Sequence, residues 1–207
     1  MKEKTCFVSK ISLCACVPLL VLMLHPASVQ SARKVATGDN EVAGGFGFQV
    51  GIPNYSPGGF KWFNDYSRGL SERVWLNLQF NVTLGNVHDE HCWYDERINR
   101  WRCTDSHWDG NALELAIGPK LRFPVSRIPL IIDAKLGGAF EILFFGGDYA
   151  GVGLAFRGGV GVHYYLFENL GVGAEIMFNF GAAFIQDLGA EFYGTFDFQV
   201  IGVQFRF

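Results

Sequence analysis

The sequence predicts an all-β chain, folded as a single antiparallel up-and-down transmembrane β-barrel of eight strands with both termini periplasmic. Three observations lead there. An alternation of apolar and polar positions with a period of two runs through most of residues 42–207. The connections between the alternating segments switch between short turns at one end and longer loops at the other, the plan of a membrane-spanning barrel. The composition is rich in Phe and Gly, 20 and 26 of 207 residues, with only 18% charged residues, against about 25% in soluble domains.

The same composition excludes other classes. A formal charge of −3 with no long basic run argues against a nucleic-acid binder, and the apolar fraction of 49% against a disordered tail. Past the leader, no apolar run reaches the length of a membrane-spanning helix.

The chain opens with Lys2, Lys4 and Lys10, an apolar run at 11–24, and the small residues Ala27, Ser28, Ser31 and Ala32. A basic start, a short apolar core and a small-residue exit read as a secretory signal peptide spanning 1–31. Cleavage is expected after Ser31, with the position after Ala32 as the alternative; a lipoprotein site at Cys16 is a competing reading. Residues 32–40 then lead into the barrel at 41–207. Loss of the leader removes three Lys and one Glu, taking the formal charge from −3 to −5. It also removes Cys6, Cys14 and Cys16, so that Cys92 and Cys103 remain, an even pair in an exported chain that reads as a disulfide.

The strands follow in order. Residues 42–52 carry Phe46, Phe48 and Val50 against Gly45, Gly47 and Gln49. A weaker candidate at 59–66 lies between turn signals at 53–57 and 67–71. Strands at 74–84, 113–123, 130–144, 152–164 and 170–184 each show one apolar and one polar face. In the last segment, 191–207, Phe207, Phe205, Val203 and Ile201 share one parity, and Phe198, Phe196 and Phe192 the other. One bulge near Val200 reconciles them. Short turns fall at 67–71, 124–128 and 167–169, and longer connections at 53–58, 85–110, 145–151 and 185–188; the 85–110 segment is expected to be a long extracellular loop.

Alternation alone does not say which face is outside, since a soluble barrel points its apolar face inward around a greasy ligand. Here the polar face is loaded with Gly, which suits a crowded lumen. It also carries charges of both signs: Glu114, Lys120, Arg122, Asp133, Lys135, Glu141, Arg157, Glu175, Asp197 and Arg206. The apolar face is Phe-rich over strands long enough to cross a bilayer at a tilt. These features put the apolar face in lipid.

The ending 196–207, FDFQVIGVQFRF, resembles the terminal strand of Gram-negative outer-membrane proteins. The whole of 41–207 is similar to the small eight-stranded OmpA/OmpX class. The resemblance implies a bacterial outer-membrane location in contact with lipid and lipopolysaccharide. It also implies that Phe205 and Phe207 form the signal read by the barrel assembly machinery.

Two regions carry candidate chemistry. The lumen charges read either as a salt-bridge network holding the strands in register or as a narrow ion or small-solute path. The 85–110 loop holds Cys92 and Cys103, whose closure restrains the unfolded loop by roughly 2–4 kcal/mol. Between and beside them lie Trp93, Tyr94, Arg97, Arg100, Trp101 and Arg102, residue types enriched at binding hot spots. They suggest contact with an extracellular protein or a glycan; the alternative is packing within the hairpin at the headgroup zone.

His88, His91 and His107, with nearby carboxylates, form a possible Zn²⁺ or Cu²⁺ set. The reading preferred is a solvated polar loop without metal, because His-x-x-His in a loop fixes no geometry. Asp105-Ser106-His107 is the one candidate for an acyltransferase or deacylase site. Neighbouring side chains on an extended segment point opposite ways, and no catalytic residue is expected. No phosphate loop or dinucleotide fingerprint occurs, so no cofactor is expected, and no nucleic acid. The function expected is a non-catalytic envelope barrel with surface recognition through the braced loop.

Overall fold

The structure, a computed structural model, describes residues 37–52, 56–95, 100–146, 150–186 and 189–207, and for 88–95 and 100–108 it describes the backbone. The expected leader at 1–31, its cleavage positions and most of 32–40 lie outside the described residues. Eight strands are present: β1 (Asn40–Gly51), β2 (Gly58–Gly69), β3 (Val74–Asp95), β4 (Arg100–Pro124), β5 (Leu130–Phe145), β6 (Ala150–Tyr165), β7 (Leu170–Ile185) and β8 (Gly189–Arg206). Each pairs antiparallel with its sequence neighbour, and β1 pairs with β8 to close the barrel. Asn40 and Phe207 exchange backbone hydrogen bonds at 2.9 Å across this seam. Closure removes both sheet edges, as a strand structure in hydrocarbon requires.

Faces follow parity. Phe46, Phe48, Leu115, Ile117, Leu154, Phe156, Ile176 and Phe198 are exposed on the outer wall, while the lumen charges, Glu114, Lys120, Arg122, Asp133 and Arg157 among them, lie inside at near-zero exposure. This is a soluble protein turned inside out. An apolar belt on the outside and an ionic inward face are the arrangement that a barrel in lipid requires, and the reverse of a soluble barrel around a greasy ligand.

The weak strand at 59–66 is a full strand, β2, of 12 residues. Its pattern is blurred by Asn64, which has outward parity amid Phe60, Trp62 and Tyr66. The β2–β3 register pairs Trp62 with Val82 and resumes at Asp65 with Gln79. In the gap, the Asn64 backbone N–H donates to Asn81 Oδ1 at 3.1 Å and its side-chain amide donates to the Phe80 carbonyl at 3.0 Å. The polar residue thereby repairs the ladder it interrupts.

The bulge expected near Val200 is there. Phe46 pairs with Ile201 and Gly47 with Gln199, so Val200 is the extra residue; Val200 and Ile201 are both exposed. β1 runs close against the bulged backbone: a Cβ on Gly47 would sit 1.8 Å from the Phe198 carbonyl oxygen, an approach that only glycine permits.

The segment expected as a long loop, 85–110, differs from that expectation. β3 and β4 keep pairing without interruption out to Asp95 and Arg100, whereas β2 leaves β3 at Asn86 and β5 leaves β4 at Gly110. The result is a two-stranded ribbon standing beyond the rim, about 30 Å long for nine residues per strand. It is strand and not loop because the two arms are matched in length and pair residue for residue past the rim, which lets the hairpin propagate.

Candidate functional site: a filled lumen and a projecting ribbon

The interior is a continuous set of ion pairs, tiered from the short-turn end upward. Nearest that end, Glu41 accepts hydrogen bonds from Lys120 (2.8 Å), Arg122 (2.7 Å to each oxygen) and the Tyr165 hydroxyl (3.1 Å). Arg122 also donates to Asp133 at 3.1 Å and lies 4.3 Å from the Trp75 ring centroid. Arg206 donates to the Tyr165 oxygen at 2.6 Å. His163 Nδ1 is 3.0 Å from Asp133, and its Nε2 is 3.4 Å from Glu175.

At mid-height, Lys135 bridges Asp65 (2.5 Å) and Glu175 (2.8 Å). Above it, Lys61 donates to Gln49 (2.7 Å), Glu114 (2.8 Å) and Asp197 (2.8 Å). Arg157 reaches Gln79 (2.7 Å), Asn179 (2.9 Å), Asp197 (3.0 Å) and Glu114 (2.8 Å). Glu141 takes the Tyr193 hydroxyl and the Asn179 amide instead of a cation. A carboxylate with no partner is costly in such a site, so multiple donors per acceptor are what permits burial.

Two features close this network. Val87, Ala112, Leu143, Phe145, Ala183 and Ile185 form a buried apolar cluster with Tyr193 at the long-connection end. At the other end Trp75, Arg122 and Arg206 stack into a plug. A void of about 10 Å³ bordered by Asn77, Lys135, Arg157 and Met177 interrupts the packing, which is room for about one water.

All ten lumen charges named from the sequence are buried in this interior. Sequence reading missed three others. Glu41 lies one residue before the first clear alternation, and Lys61 and Asp65 lie on β2, whose pattern Asn64 blurs. The inward aromatics Trp75, Tyr165 and Tyr193 were missed too, since apolar parity was equated with the outside; each has a polar atom or a π face that the buried charges use. Phe205 and Phe207 are exposed on the outer wall and stack on one another, centroids 6.2 Å apart.

The ribbon's register sorts the remaining candidates. Cys92 pairs with Cys103, Trp93 with Arg102, Tyr94 with Trp101 and Asp95 with Arg100. With period-two alternation, Trp93, Asp95, Arg100 and Arg102 share one face, and Cys92, Tyr94, Trp101 and Cys103 the other. Arg97 lies outside the described residues. The possible metal triplet is split: His88 pairs with His107 on the face of the cysteines, and His91 pairs with Thr104 on the opposite face. Ser106 and His107 are likewise on opposite faces. Among the residues whose side chains are described, no cluster of three His, Cys, Asp or Glu has metal-binding geometry.

No protein-family model matches the chain, and no curated protein matches it. Solved structures do match over nearly their full length. The Pseudomonas aeruginosa outer membrane protein OprG aligns at 13% identity over 86% of this chain and 99% of its own, with a TM-score of 0.60. Neisserial surface protein A aligns at 10% identity over 83% and 98%, with a TM-score of 0.55. A major outer membrane protein from Thermus thermophilus aligns at 13% identity over 83% and 100%, with a TM-score of 0.54. What this chain shares with these bacterial outer-membrane proteins is the fold, an eight-stranded antiparallel barrel.

Proposed function

We propose that the protein is a non-catalytic bacterial outer-membrane barrel that displays its ribbon for surface recognition and does not conduct. In this reading residues 1–31 direct export, the termini face the periplasm, Phe205 and Phe207 engage the barrel assembly machinery, and the ribbon projects from the cell. The observation that carries the proposal is the contrast between the two regions. The lumen is filled with paired charge and capped by apolar residues, whereas the β3–β4 hairpin extends far past the rim.

The neighbours named as a surface protein and as outer-membrane proteins support the location. The Cys92–Cys103 disulfide belongs to the proposal. Directly opposed residues in an antiparallel ladder have Cα atoms about 4.5–5.5 Å apart, within the span a disulfide accepts. Trp93, Tyr94, Arg97, Arg100, Trp101 and Arg102 then form the contact surface for an extracellular protein or glycan.

The test is adherence of cells displaying the wild-type chain, Trp93→Ala or Trp101→Ala to immobilised matrix proteins and a glycan array. The proposal expects wild-type binding to at least one target and its loss in both variants, with the heat-dependent gel shift of a closed barrel retained. Unchanged adherence in both variants overturns it.

A further inference from the structure

The register of the ribbon places four metal-ligand residue types together in a way the linear sequence does not show. On one face, His88 lies directly opposite His107, and the next rung outward sets Glu90 directly opposite Asp105. Positions two apart share a face, so the two rungs are consecutive on it. The inner neighbour is Asn86 opposite Asp109, and the outer neighbour is the Cys92–Cys103 rung.

The rungs of the two faces are composed differently. On the opposite face the rungs at the same height set Asp89 opposite Ser106 and His91 opposite Thr104, with no like pair among them. On this face like meets like: imidazole opposite imidazole, carboxylate opposite carboxylate. Like charges directly across a two-stranded ladder destabilise it, and an isolated ribbon has little else to hold it. A bound divalent cation turns the carboxylate rung from repulsive into bridging and takes the two neutral imidazoles of the neighbouring rung as ligands. The spacing suits one: opposed Cβ positions are about 4.5–5.5 Å apart, and a cation with ligand bonds of about 2.0–2.2 Å takes imidazole nitrogens and carboxylate oxygens together.

We propose that His88, His107 and Glu90, with Asp105 beside them, form a Zn²⁺ site on the outward-continuing face of the β3–β4 ribbon. His91 is not a ligand, because it sits on the other face. The proposal rests on the ladder register and is independent of whether the ribbon recognises a partner or whether the cysteines are oxidised. Two His and a carboxylate are a ligand set that Zn²⁺ favours, leaving a position for Asp105 or water. Bound there, the metal staples the ribbon at its root, between the barrel rim and the cysteine rung.

The experiment is isothermal titration of ZnCl₂ into the tag-free barrel in detergent micelles, without reductant. Each variant is first checked for the heat-dependent gel shift of the folded barrel. One saturable Zn²⁺ per chain is expected in the wild type. His88→Ala and His107→Ala are each expected to weaken it by about tenfold or more, and Glu90→Gln to weaken it measurably. His91→Ala and the Cys92→Ser/Cys103→Ser pair are expected to leave it unchanged. The proposal is overturned if the wild type takes up no stoichiometric Zn²⁺, or if the His88→Ala/His107→Ala pair binds as the wild type does. Equal loss in His91→Ala, or loss in the cysteine variant alone, also overturns it by assigning the ion to other ligands.

Discussion

Glu41 gathers Lys120 and Arg122 from β4 and Tyr165 from β6, although it stands at the start of β1. Contacts separated by 79 to 124 residues exist only when the barrel is closed, so such a group reports on register at a distance. Burying so many charges is weak evidence of stability in itself, but removing one member leaves the others uncompensated. Glu41→Ala is therefore expected to lower unfolding free energy by about 3–5 kcal/mol, read from tryptophan fluorescence during urea unfolding in lipid vesicles. A change within about 0.5 kcal/mol, the range of an ordinary surface substitution, would contradict the pairing described. Lys61, with Glu114 and Asp197 at 2.8 Å each, ties strands together in the same way in the tier above.

Among the elements, β8 shows most clearly how sequence pattern and structure connect. Its parity break requires an extra residue, and the structure places that residue at Val200. Deleting Val200 removes the extra residue and sets the Phe46–Ile201 and Gly47–Gln199 rungs next to each other, so every side chain of β8 keeps its face. Deleting Val203, in the regular ladder, instead turns Gln204 and Arg206 to the outer face. The Val200 deletion is expected to retain the heat-dependent gel shift after refolding, whereas the Val203 deletion is expected to abolish it. Loss of the shift on deleting Val200 alone would contradict the bulge.

Legibility followed the strength of the alternation. β5, β6 and β7 were readable because outward Phe, Leu and Val alternate with inward Gly and charge. β2 was faint because Asn64 repairs a ladder gap on the outer face, an effect visible only with its partners Phe80 and Asn81 in place. The ribbon was readable as a hairpin tip but not as a strand pair, and its faces depend on the register of two arms that sequence spacing alone leaves free. That same register sets His88 opposite His107, while the spacing of three puts His91 on the other face once the segment is known to be strand.

At the scale of the whole molecule, two opposite gradients meet in one wall. The outer surface is apolar, and the inner surface is ionic but finished at the long-connection end by Val87, Leu143, Phe145 and Ile185. An eight-stranded barrel is about wide enough for its own side chains to fill. Here large ones do so, with Trp75, Arg122, Arg206, Tyr193 and Lys61 all fully buried. A conducting path would have to displace paired charges and then cross the apolar cap. In the function proposed above, recognition therefore falls to the β3–β4 ribbon.

Planar-bilayer recording of the purified, folded barrel tests this division most directly. A filled and capped lumen gives no steady unitary conductance under applied voltage, in the wild type or in ribbon variants. Reproducible unitary openings that change in amplitude with Arg157→Ala or Glu141→Ala, two residues of the interior network, would contradict it and make the lumen the working region of the protein.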